Sequence, residues 1–159
     1  MTTIEQSIDV EVPIHAVYDQ WTQFEGFPEF MEGVERVEQL DDAHLHWVTR
    51  VAGVEREFDA VITEQVPDQR IGWRSVQGPT QAGQVSFSSD EPSRTHVTLV
   101  MDFEPEGVVE QAGDKLGLVK SRVQGDLERF KQFIESRGEP TGAWRGTVSD
   151  EEATGGTPV

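Results

Sequence analysis

One long helical pattern, residues 108–137, follows six consecutive period-two segments, and that imbalance constrains the fold more than anything else in the chain. Val109, Ala112, Leu116, Val119, Val123, Leu127, Phe130 and Ile134 recur at spacings of three and four, with Glu110, Asp114, Lys120, Asp126 and Glu128 opposite. Gly138 followed by Pro140 supplies a stop. A helix of about thirty residues is roughly 45 Å long at a rise of about 1.5 Å per residue.

Upstream, turn chemistry at LDDAH, VAGVE, VPDQR, GPTQAG and SSDEPSR separates strands expected at 34–40, 43–51, 54–66, 70–76, 83–89 and 94–104. IEQSIDVEV, residues 4–12, adds a first strand with Ile4, Ile8, Val10 and Val12 on one side. Seven strands span roughly 33 Å at about 4.8 Å each, whereas one helix with its side chains is about 10–12 Å across. A flat sheet would be left mostly uncovered. The chain is therefore expected to be α+β, a seven-stranded curved antiparallel sheet gripping a long C-terminal helix, with two short helices after the first strand. Residues 1–138 form that domain, and 139–159, rich in Gly, Thr and acid, are expected to be a largely disordered tail.

The two short helices come from VPIHAVYDQWTQFEGFPEF, where Val17, Trp21 and Phe24 share a helical spacing that Gly26 and Pro28 then break. Trp21, Phe24, Phe27, Phe30 and Met31 are placed to plug one end of the curled sheet. Strand parity supplies the rest of an apolar lining: Leu45, Trp47 and Val51, Phe58 with Ala60 and Ile62, Ile71 with Trp73, Val85 with Phe87, and Val97, Leu99, Met101 and Phe103. Leu116, Val119 and Val123 face them from the helix. Each of these side chains can either line a ligand cavity or complete a dry core.

Thirty acidic residues against thirteen basic ones give a net charge of −17, which repels nucleic acid and anionic lipid. There are no cysteines, and no apolar run approaches the length of a membrane span, so no stable membrane insertion and a cytoplasmic location are expected. No GxGxxG or GxxxxGK[ST] loop occurs. His44 and His46 share a strand face but lack a third ligand, and His15 and His96 do not converge with them, so no metal or cofactor is expected.

VPIHAVYDQWTQFEGFPEFMEGV, ITEQVPDQRIGWRS and VQGDLERFKQFIESRG, with the layout over residues 3–137, resemble the START-like (SRPBCC) helix-grip superfamily. That superfamily includes polyketide cyclase/dehydrase proteins, the coenzyme Q-binding START-like group and birch-pollen-allergen-type carriers; the texture here is nearest the cyclase/dehydrase-like branch. TGAWRG, residues 141–146, also looks like an extension found in that branch. The resemblance implies a cavity for a lipid, quinone, sterol or polyketide, and leaves catalysis open. Aromatase/cyclase members use a pocket Arg with Tyr or Ser hydroxyls, which nominates Arg56, Tyr18 and Ser75 here. Arg56 shares parity with Phe58 and Ser75 with Trp73, although Arg56 can equally pair with Glu55 or Glu57 in water. Three readings follow: a carrier of a small apolar molecule, a polyketide cyclase or dehydratase, and a stress-related adaptor contacting a protein partner through its acidic surface or tail.

Overall fold

Period-two alternation becomes seven strands. In a computed structural model, residues 2–51, 54–77, 81–103 and 112–148 are described. The order is β1 (Thr2–Val10), α1 (Ile14–Trp21), a 3₁₀ segment (Phe24–Glu29), β2 (Val34–Gln39), β3 (His44–Val51), β4 (Val54–Val66), β5 (Arg70–Gln77), β6 (Gln81–Glu91), β7 (Arg94–Phe103) and α2 (Ala112–Arg137). The first strand starts and ends two residues earlier than its alternation suggests. Val12 is still buried, but the chain is already turning there, and the buried Thr95 hydroxyl donates to its carbonyl at 2.7 Å.

All neighbouring strands pair antiparallel, in the order β1-β7-β6-β5-β4-β3-β2. β1 and β2 are consecutive in sequence yet occupy opposite edges. The segment joining them must therefore cross the whole sheet, which is the physical reason it carries so much aromatic surface. Register shifts within β2–β3, β4–β5 and β6–β7 supply the local bends that curl the sheet.

Along α2, Val123, Leu127, Phe130 and Ile134 are buried at the spacing read from the sequence. Gly138 ends the helix with φ 79°, its N–H donating to the Ile134 carbonyl at 2.9 Å, a left-handed cap that a side chain would strain. Lys131 donates to the Asp9 carbonyl and Glu135 accepts the Glu11 N–H, fixing the helix to the end of β1. Arg129 donates to the Phe30 carbonyl, and Asp126 accepts the Glu32 N–H, fixing it to the end of the plug. No helix among the described residues is long and apolar enough to cross a membrane.

Ten residues of the expected tail do not hang free. Residues 139–148 run back over α1: Trp144 is partly buried against the core, and Val148 forms an antiparallel bridge with Gln65 at the end of β4. Side chains at Thr141 and Arg145 supply the anchors that a compositional reading as loose chain passed over. Residues 149–159 lie outside the described residues.

The strand histidines pair with carboxylates. His46 sits between Asp59 at 2.6 Å and Glu57 at 2.9 Å, His44 meets Asp41 at 2.8 Å and His96 meets Asp9 at 2.6 Å. Among the described residues no group of three or more His, Cys, Asp or Glu is placed to hold a metal. Hydrogen bonding to Asp59, then to Glu57, raises the His46 pKa above the ordinary imidazole value. Its stabilisation is therefore fully present below the unfolded value of about 6.5 and is lost as pH rises through the folded value. Urea unfolding between about pH 6 and pH 9 should show a shallow decline that His46→Gln flattens, small because the pair is solvent-accessible. An unchanged slope in the variant would assign the decline to other groups.

Candidate functional site

The plug is a continuous run of rings. Trp21 meets Phe130 of α2 at 5.0 Å between centroids, Phe27 at 5.4 Å and Phe30 at 6.2 Å. Phe27 then meets Trp47 of β3 at 5.7 Å, and Trp47 stacks on Phe58 of β4 at 6.0 Å with planes 4° apart. Trp21, Phe24, Phe27 and Phe30 are buried, with Met31 half-buried against them. These side chains fill one end of the interior with protein.

Two polar atoms within that run have no partner. The indole N–H groups of Trp21 and Trp47, on either side of Phe27, are buried without a hydrogen-bond acceptor. An unpaired buried donor costs about 1–3 kcal/mol. An acceptor oxygen on a bound molecule would relieve that cost.

Beyond the plug, pairing register places Ile4, Met101, Gly83, Trp73 and Ile62 in one row across the sheet on its concave face. Ile4 and Ile62, at its ends, are 2% and 1% exposed, whereas Met101 and Trp73 between them are only half-buried. The Trp73 ring lies directly over Gly83. A Cβ there would come within 2.8 Å of Trp73 Cη2 and closer still to Cζ2, so only glycine admits the ring. Gln6 donates to the Lys120 carbonyl while Lys131 reaches Asp9, so α2 runs alongside β1 in the same direction and its first turns lie toward the Ile4 end. The side chains of Leu116, Val119 and Phe103, expected to complete the lining there, fall outside the described residues.

Other expected lining residues belong to the core. Phe87 is buried edge-on against Tyr18, with ring centroids 5.5 Å apart, at the α1 end. Val123 and Phe58 are buried, and Leu99 sits one row from Met101 at the border between core and opening. A groove of 480 Å³ between β1 and α2 is lined by Gln6, Lys120, Ser121, Gln124, Gly125 and Glu128. Amides, a hydroxyl and a Lys–Glu pair of charges make it unsuited to an apolar guest.

The three proposed catalytic groups are not brought together. Tyr18 is fully buried in α1, beside Gln65 near the end of β4, and burial pushes its phenol pKa up while Gln65 opposes the shift. Arg56 is exposed at the opposite end of the same strand. Nine residues of strand separate Arg56 from Gln65, roughly 30 Å at about 3.3 Å each. Ser75 lies between them opposite Ala60, its Oγ accepting the Gln81 N–H at 3.0 Å. Strand parity gives the face a residue occupies but not its height along the strand, and height is what separates these groups.

A family model described as polyketide cyclase/dehydrase and lipid transport matches residues 10–132. The chain belongs to that family. The chain is 58% identical, over 149 residues, to an uncharacterized 17.2 kDa protein in the melC2-rnhH intergenic region of Streptomyces lincolnensis, covering 93% of this chain and 99% of that one. Among solved structures it is similar to the Zhui aromatase/cyclase of a Streptomyces species, with a TM-score of 0.73 and 18% identity over 90% of this chain and 99% of that one. A START superfamily protein from Mycobacterium smegmatis gives a TM-score of 0.65 at 16% identity, over 80% and 97% of the two chains. At those identities the structures establish the helix-grip fold, and family membership supports a ligand-binding or cyclase role.

Within this family member, the residues that sequence reasoning missed are Gly83 and Gln65, together with the unpaired N–H groups of two indoles it had read only as apolar surface. Gly83 had a legible signal. It interrupts an otherwise alternating strand opposite a bulky ring.

Proposed function

We propose that the protein carries a small apolar molecule, of the lipid, quinone or polyketide-like kind, between the Trp73–Met101 row and the first turns of α2. The observation that carries this reading is the change of exposure along one row of the concave face: sealed at Ile4 and Ile62, open at Met101 and Trp73. Apolar side chains left half-exposed between buried neighbours gain about 25 cal/mol for each Å² that a guest covers. The Trp47 N–H, at the boundary between plug and opening, supplies a donor for one oxygen of the guest.

Trp73→Ala should weaken an apolar naphthalene dye by roughly tenfold or more, since a Trp side chain contributes a large contact area. Fluorescence titration of folded variant and wild type measures it. Equal affinities, or a wild type that takes up no dye, would sink the carrier reading. A cyclase reading needs a proton-transfer group beside the same row, and Arg56, Tyr18 and Ser75 do not supply one together.

A further inference from the structure

TGAWRG and the two residues after it form a strap anchored at Thr141, Trp144, Arg145 and Val148. The Thr141 N–H donates to Gln20 Oε1 at 2.8 Å, and Gln20 Nε2 returns a bond to Thr141 Oγ1 at 3.2 Å. The Trp144 N–H donates to Thr22 Oγ1 at 3.1 Å. Arg145 pairs with Asp19 and, at 2.7 Å, with Asp68, and its guanidinium lies 5.4 Å from the centre of the Tyr18 ring. Val148 and Gln65 exchange backbone hydrogen bonds of 3.0 and 3.1 Å. Both glycines sit at close approaches: a Cβ on Gly142 would meet Gln23 Oε1 at 2.6 Å, so that side chain would have to shift, and one on Gly146 would meet Trp144 Cζ2 at 2.6 Å.

Asp19, Gln20 and Thr22 bracket Trp21, the ring from which the plug is built. What the strap covers is poorly satisfied: Tyr18 Oη and the Gln65 amide are buried beside one another without a well-formed hydrogen bond, and Asp68 Oδ1 is buried without a partner. Asp68 also holds φ 62°, a conformation uncommon for a residue with a side chain. The closed strap thus combines firm polar anchors with a cost that access to water would recover.

We infer that residues 141–148 are a latch that holds the aromatic plug shut, released when Arg145 leaves Asp19 and Asp68. Its consequence for ligand exchange rests on the carrier reading; the latch itself does not. Salt weakens the two ion pairs, because part of each is in contact with solvent. Without Arg145, two carboxylates face each other across the strap in an already acidic protein.

The test uses full-length Arg145→Gln, with Arg145→Lys as the conservative comparison. Hydrogen–deuterium exchange should show protection over residues 19–31 falling by roughly tenfold in Arg145→Gln, while β6–β7 keeps its protection. In wild type, about 1 M sodium chloride should reproduce part of that loss, and Arg145→Gln should respond less to salt. Arg145→Lys should fall between the two, since a point charge cannot span both carboxylates as a planar fork does. Stopped-flow release of the naphthalene dye should accelerate several-fold in Arg145→Gln. Unchanged protection at 19–31, or an equal loss across β6–β7, would overturn the latch. Altered protection with unaltered dye release would overturn its role as a gate. Should the dye fail to bind any variant, the carrier reading falls, and the exchange data still decide the latch.

Discussion

Phe130→Ala should lower the free energy of unfolding by about 3–5 kcal/mol. The ring is 0% exposed and touches both halves of the plug, 5.0 Å from Trp21 and 5.2 Å from Phe30 between centroids. Removing it costs the transfer energy of a benzyl group and also the cavity left behind, because its neighbours are held from other directions. Trp21 is fixed by Phe27, and Phe30 by Phe133 and by the bond from Arg129 to its carbonyl. Neither can easily fall into the space. Urea unfolding gives the magnitude, with the exposed Gln132→Ala on the same helix expected to stay within about 0.5 kcal/mol of wild type. A loss below about 1 kcal/mol at Phe130 would mean that the plug and α2 do not share one core.

The same residue shows how much of the fold was readable beforehand. Phe130 takes its place from a spacing of three and four that runs through Leu127 and Ile134, and periodicity survives translation into structure because it is a property of the backbone. The strands were legible for the same reason. Antiparallel order followed from short turns, while the crossing of α1 and the 3₁₀ segment from the β1 edge to the β2 edge accounts for the rings in WTQFEGFPEFM.

Two kinds of information were not readable. Parity placed Arg56 and Ser75 on the concave face, but how far apart they lie along it depends on strand length and register, and Tyr18 reaches the sheet from a separate element. Composition likewise gave no sign of the anchors over residues 139–148. Gly142 and Gly146 read as loose chain, whereas in the structure each marks a close approach of backbone and side chain. A glycine signals freedom or contact, and only the neighbours across space decide which.

Gly83 is the position where that distinction has the largest functional consequence. Gly83→Ala should destabilise the protein by about 1–3 kcal/mol, the range for overpacking, and should also weaken the apolar dye by roughly tenfold, as loss of the Trp73 contact does. The backbone cannot make room, because β6 is paired on both sides at this point, to Trp73 in β5 and Met101 in β7. The indole must move instead, away from the row it shares with Met101. A double-mutant cycle separates the two effects. Trp73→Ala removes the obstructing ring, so adding Gly83→Ala to it should cost almost nothing, a coupling of about 1–3 kcal/mol in stability. Affinity should not recover in the double variant, since the surface that holds the dye is gone. If the two substitutions prove additive in stability, the ring does not rest on Gly83. If the double variant regains dye affinity, the guest does not lie against Trp73, and the opening in the middle of the sheet has another use.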